Sequence, residues 1–266
     1  MFSLFRKSSP AAPDFFAPLK GGEAQLQVTE AQREAYQGAA PFAHTAIDDM
    51  FNPDYLRRVV AEVPSPLEHG HLFNADVQHL QEHKFAWRDI PKLGPQTHAF
   101  LGFLGSKPFL EYLTALTGVA GLMPDPYMWG AGFHQILRGG KLAVHADFNI
   151  HPQSKLYRRL NVLVYLNEEW DEQWGGALEF WNHDMTACET KVAPHFNRMA
   201  VFSTTEKSFH GHPNPLDCPE NVVRKSLALY YYTYDYLTDK PHSNLWKDRP
   251  QDEGKVAAAM QQFQQQ

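Results

Sequence analysis

After Pro126 the chain becomes a succession of short β-type runs, AGFHQIL, KLAVH, RLNVLVYL, ALEFW, RMAVFS and SLALYYYTY, broken by Gly139-Gly140, Gly175-Gly176 and the stretch from Pro213 to Pro219. Strands of this length with turn residues between them predict an antiparallel sandwich or barrel. Ahead of that region the periodicity is helical. DYLRRVVAEV sets Leu56, Val59, Val60 and Val63 at helical spacing, and SKPFLEYLTALTG offers Ser106 as N-cap, an early proline and a closing Gly118. Residues 64–105 show no clean period and read as loops with short elements. The expected fold is mainly β (α+β), with helices from the N-terminal half supporting the β core.

Alternation along Arg159–Leu166 sends Leu160, Val162, Val164 and Leu166 to one face, and Arg159, Asn161, Leu163 and Tyr165 to the other. The apolar face suits packing against helices. The mixed face suits a barrel interior, where buried polar groups need partners that a bound polar ligand supplies. The run 224–232 repeats the pattern, with Arg224, Ser226, Ala228, Tyr230 and Tyr232 on one face.

Composition narrows the function classes. In 266 residues, 43% hydrophobic and 13% aromatic content excludes a wholly disordered chain, and a net charge of −6 provides no basic field for nucleic acid or anionic membrane. No apolar run reaches the roughly 18 residues of a membrane span, and MFSLFRKSSPAAP has no signal-type apolar region. Cys188 and Cys218 read as free thiols, and a reducing, cytoplasmic setting is expected. Residues 1–40 are expected as a flexible arm, 41–240 as a single domain with its catalytic core at about 126–236, and 241–266 as a polar tail, a frayed terminal helix or a disordered end.

His145-Ala-Asp147 stands at the end of KLAVH, where a period of two turns both side chains to one side with Cα atoms roughly 6.6 Å apart, close enough to share a metal. A tripeptide of this kind arises about once by chance in such a composition. Its weight comes from two residues further along the chain, a histidine in SFHGHP and then Arg224 opening a strand. Two imidazoles and a carboxylate leave one face of a metal open, as a non-haem Fe(II) oxygenase requires. A guanidinium inside a barrel, with no acid in its own strand, calls for an anion.

The stretch from Gly132 to Thr233 resembles the catalytic core of prolyl-hydroxylase-like 2-oxoglutarate and Fe(II)-dependent dioxygenases. The matching text is HADFN, RRLNVLVYLNEEWDEQWGGALEFW, VAPHFNRMAVFSTTEKSFHGHP and RKSLALYYYT. The resemblance implies a double-stranded β-helix (jelly-roll, cupin-like) core. It implies Fe(II) on His145, Asp147 and a distal histidine, and 2-oxoglutarate on Arg224, the Tyr165 hydroxyl and Ser226, with ascorbate as an optional accessory. Both His210 and His212 lie in SFHGHP. His210 is preferred, because the family's histidine is followed by one residue and then an apolar one, the slot His212 fills. NPLDCPENVV lengthens the gap to Arg224 and is expected to form a lid or turn that shapes the substrate entrance.

By this resemblance O2 and a substrate are the partners, and the activity is hydroxylation of a C–H bond with no catalytic residue beyond the metal centre. A prolyl residue of a protein or peptide is the first expectation, and a small molecule or glycan intermediate the second. A cupin-type zinc hydrolase is the alternative of another class, and it leaves Arg224 without a role.

Overall fold

A computed structural model describes residues 14–69, 80–87, 89–234 and 240–264. Its centre is an antiparallel sheet of eleven strands that curls into a nearly closed jelly-roll barrel. The strands are β1 (His44–Asp48), β2 (Gln81–Trp87), β3 (Met123–Pro124), β4 (Gly132–Ala146), β5 (Tyr157–Tyr165), β6 (Leu178–Trp181), β7 (Cys188–Val192), β8 (Arg198–Ser203), β9 (His210–His212), β10 (Arg224–Thr233) and β11 (Leu245–Trp246). Their order is β1-β8-β5-β10-β4-β9-β6-β7, with β2 and β11 joining β4 and β3 joining β10. β4 is the hub. Its first half lies against β10 and β2, and its second half, which carries His145, lies against β9 and β11.

Helices α1 (Glu30–Gln37), α2 (Pro53–Ala61), α3 (Pro66–His69), α4 (Pro95–Leu104) and α5 (Lys107–Thr117) come before β3, with β1 and β2 set between them, and α6 (Lys255–Gln264) comes after β11. Local chemistry starts and stops them. Thr29 and Gln32 form a capping box on α1, and Asn52 caps α2 by accepting from the backbone N–H groups of Asp54 and Tyr55. Gly118, at φ 80°, closes α5. Ser106 does not cap α5 with its side chain; its hydroxyl turns back to donate to the Phe103 carbonyl.

The main core forms where Leu56, Val59, Phe100, Phe103, Leu113 and Leu116 of the helices meet Leu160, Val162, Val164, Leu227 and Leu229 of the sheet. That is the apolar face expected from alternation in β5. On the opposite face Tyr165 packs with Leu178, Phe180, Ala200 and Phe202 inside the barrel. Among the described residues no helix is long and apolar enough to cross a membrane.

The short elements expected among loops in residues 64–105 include β2 and a ten-residue helix, α4. Two expectations change. The N-terminal arm is ordered from residue 14 onward, with Tyr36 fully buried and its hydroxyl 2.9 Å from that of Ser203; residues 1–13 lie outside the described residues. The polar tail supplies β11 and α6, and Val256 and Ala259 pack on Leu80 and Ala143, so apolar burial on the back of β4 holds it. Leu160 stands at the centre of the helix–sheet interface with no exposed surface. Leu160→Ala is expected to cost about 2–5 kcal/mol, read as a lower urea midpoint at unchanged slope.

Candidate active site

The second half of β4 ends in His145 and Ala146, and Asp147 comes one residue past the strand. Register pairs His145 with His210 across the β4–β9 ladder, which brings the two imidazoles to a ring-centroid separation of 4.7 Å. His145 Nε2 lies 3.5 Å from one Asp147 carboxylate oxygen and His210 Nε2 3.4 Å from the other. Ligand atoms of these three buried residues all fall within 4.8 Å of one another, close enough to hold one metal ion. Each imidazole is oriented from behind: the Nδ1 atoms of His145 and His210 lie 2.9 and 2.8 Å from the carbonyls of Ala143 and Ser208. With Nδ1–H donating, each Nε2 lone pair faces Asp147. Trp246 of β11 stacks on His145 at 4.7 Å and 33°.

Asp147 is held on its far side by Asn161, on the face alternation gave it, and by Arg158, which alternation misplaced. Asn161 Nδ2 donates to Asp147 Oδ2 at 2.7 Å, and the Arg158 guanidinium lies 3.0 Å from the same oxygen. Arg158 also donates twice to Asn161 Oδ1 and lies 3.4 Å above the Tyr230 ring centroid. Alternation assigns the interior to Arg159. A bulge opposite Tyr231/Tyr232 shifts the register of β5 by one residue, so Arg158 turns inward and the half-buried Arg159 reaches Thr233. Burial alone would raise the Asp147 carboxyl, but Arg158, His210 and His145 hold it well below the usual carboxylate range.

Arg224, 3% exposed, opens β10 on the same interior face as Ser226. Its Nε donates to the Gly176 carbonyl at 2.7 Å and its guanidinium sits 5.2 Å from the Tyr165 ring centroid. Among the described residues no carboxylate pairs with it. Gly176 has φ +73°, and a Cβ there would stand 2.7 Å from Leu216 and 3.0 Å from Arg224, so glycine permits the close approach. The Tyr165 hydroxyl is buried without a hydrogen-bond partner among the described residues. A cavity of about 450 Å³ is lined by His145, Asp147 and His210, and also by Arg158, Arg224 and Ser226. Metal donors and an unpaired buried cation thus share one space, a donor set that fits a metal ion together with an anionic ligand.

The segment 214–223 is not among the residues lining this cavity. Instead of a lid, Leu216 and Cys218 pack with Ile136 and Trp170, and Leu216 exchanges backbone hydrogen bonds with Gly139 and Gly140. Asn167, two residues after Tyr165, is structural: its side chain bonds the backbone of Pro194 and Lys225.

Residues 131–232 match the family model for the 2OG-Fe(II) oxygenase superfamily. The chain is 22% identical over 243 residues to prolyl 3-hydroxylase OGFOD1 of Mus musculus, a match that covers 84% of this chain and 43% of that protein. The chain therefore spans less than half the length of this curated relative. The fold is shared with a Pseudomonas putida prolyl-4-hydroxylase, at TM-score 0.53 and 17% identity over 76% of this chain and 99% of that one. A prolyl hydroxylase from Trichoplax adhaerens, in complex with a hypoxia inducible factor oxygen degradation domain peptide fragment, gives TM-score 0.54 and 17% identity over 79% of this chain and 91% of that one. HygX from Streptomyces hygroscopicus, with nickel, 2-oxoglutarate and hygromycin B bound, gives 0.52 and 13% over 80% and 90%.

Burial pushes the His210 imidazole down to about 4 against the raising effect of Asp147. Above about pH 6.5 the imidazole is neutral in both folded and unfolded chains; below it the unfolded chain takes up a proton that folded His210 refuses until about pH 4. Stability of the metal-free protein is therefore expected to fall with pH across that window, His210 contributing about 1.4 kcal/mol per pH unit. Urea unfolding at several pH values is the measurement. An equal slope in His210→Gln would exclude this origin.

Proposed function

We infer that this prolyl-hydroxylase-like 2OG-Fe(II) oxygenase hydroxylates a prolyl residue of a protein or peptide. One observation carries the oxidative reading: three metal donors and a buried guanidinium without a carboxylate line the same cavity. In this reading His145, Asp147 and His210 hold iron. Arg224 and the Tyr165 hydroxyl, with Ser226 beside them, hold the second carboxylate of 2-oxoglutarate. Bound iron and 2-oxoglutarate supply O2 activation coupled to decarboxylation of the co-substrate and hydroxylation of a C–H bond.

The protein's own residues orient and insulate. Arg158 and Asn161 fix the Asp147 carboxylate from the side away from the histidines, so its charge stays available without a proton. The Ala143 and Ser208 carbonyls fix the histidine tautomers. Phe148, Leu163, Leu178 and Phe202 give the cavity apolar walls that limit water around the reacting atoms. Arg224 as a carboxylate anchor is the feature a zinc hydrolase would leave idle. The prolyl assignment rests on the likeness to prolyl 3-hydroxylase along most of this chain.

Substrate-stimulated succinate release, screened over proline-containing peptides and small metabolites, tests the substrate; oxygen gain on a prolyl residue is the expected product, and stimulation by metabolites alone would displace it. Arg224→Ala is expected to raise the 2-oxoglutarate requirement about 30-fold or more with iron affinity little changed, because truncating a buried charge-assisted pair costs about 2–5 kcal/mol. Arg224→Lys is expected to recover part of the loss. Equal 2-oxoglutarate binding by wild type and Arg224→Ala would remove the co-substrate assignment.

A further inference from the structure

His212 has no role in holding the metal or in pairing with Arg224's backbone partner. It stands two residues beyond His210 on β9, so both imidazoles leave the same face of the strand, and both line the cavity. Only His210 joins the metal cluster; His212 stands opposite Leu142, one repeat further along. A histidine only 4% exposed is costly unless something accepts its hydrogen bond.

Its Nδ1 is buried with no hydrogen-bond partner among the described residues, as is the Tyr165 hydroxyl. A neutral imidazole carries one N–H. Arg224 lines the same cavity as His212, and its guanidinium lies over the Tyr165 ring. Two unsatisfied donors beside an unpaired guanidinium describe a carboxylate-sized acceptor with several lone pairs.

We propose that His212 is a selectivity residue for the 2-oxoacid, donating from Nδ1 to the same second carboxylate that pairs with Arg224. This rests on the reading that Arg224 anchors 2-oxoglutarate. The cavity end then reads a dicarboxylate through three donors of different geometry, and a 2-oxoacid ending in a methyl group leaves all three unpaired. His212 is also the wall shared with a second pocket of about 320 Å³ lined by Glu179, Lys191 and Arg198, so its replacement must keep the wall closed.

The test is calorimetric binding of 2-oxoglutarate and of 2-oxovalerate, which ends in a methyl group where 2-oxoglutarate has its second carboxylate, to Co(II)-loaded protein without O2. His212→Leu, which closes the wall without a donor, is expected to bind 2-oxoglutarate about 5- to 20-fold more weakly, with Co(II) affinity within about twofold and 2-oxovalerate binding unchanged. His212→Asn, whose amide nitrogen overlays Nδ1, is expected to recover most of the loss. His212→Gln, which keeps size and polarity but moves the nitrogen, is expected to recover little, and it carries the comparison if the Leu variant does not fold. Unchanged 2-oxoglutarate binding in the Leu and Gln variants, or equal losses for both 2-oxoacids, would overturn the proposal. A wild type that binds neither 2-oxoacid, or an Arg224→Ala variant that binds 2-oxoglutarate like wild type, would overturn the underlying reading and this inference with it.

Discussion

The Asp147 carboxylate, buried and kept ionised, is the constraint around which the barrel interior is arranged. An isolated carboxylate at that depth would take up a proton and lose value as a metal ligand. Arg158 supplies the opposing charge, Asn161 supplies a neutral donor, and Tyr230 and Phe148 stack on the guanidinium, so the positive charge is itself supported by ring faces. Such a network does little for stability by itself, since an apolar replacement of equal volume often does as well. Its effect is to hold one carboxylate in one charge state and one direction.

The opposite end of the cavity is built on the reverse principle. Arg224 is buried beside the Gly176 carbonyl and the Tyr165 ring with no carboxylate among the described residues, and burial works against its charge. The sheet keeps that cation in place through the fixed frame of β10 and the missing side chain at Gly176. One end of the cavity is thus balanced within the chain, while at the other end the described residues offer Arg224 no carboxylate.

Much of this is legible in the sequence because it depends on period. Strand runs, the helix-facing set Leu160, Val162, Val164 and Leu166, and the metal-donor pair at His145 and Asp147 all come from alternation, and Arg224 with Ser226 comes from the same count on β10. Arg158 is not legible, because a bulge is a property of the pairing between β5 and β10 and leaves no mark in β5 alone. Nor is α4. Its first backbone N–H groups, those of Gln96 and Thr97, are accepted by the Glu62 carboxylate at the end of α2, a cap that no local pattern reveals. The polar tail misleads for a related reason: a few small apolar residues, Val256 and Ala259, suffice to dock it when a matching surface exists on β4.

That docking ties together two parts of the chain remote in sequence. β11 pairs with β4 at His145 itself, Lys247 N–H donates to the Val144 carbonyl, and Asn244 accepts from the Phe148 N–H just beyond Asp147. Bracing on the outer side of the metal-donor strand therefore comes from residues that lie outside the family-matched segment. By linkage, whatever free energy the tail contributes to the order of His145 and Asp147 is returned to the tail when those side chains are engaged. The segment from Asn244 onward belongs thermodynamically to the centre of the barrel, and the unit that holds these side chains is longer than the stretch of sequence that matches the family model.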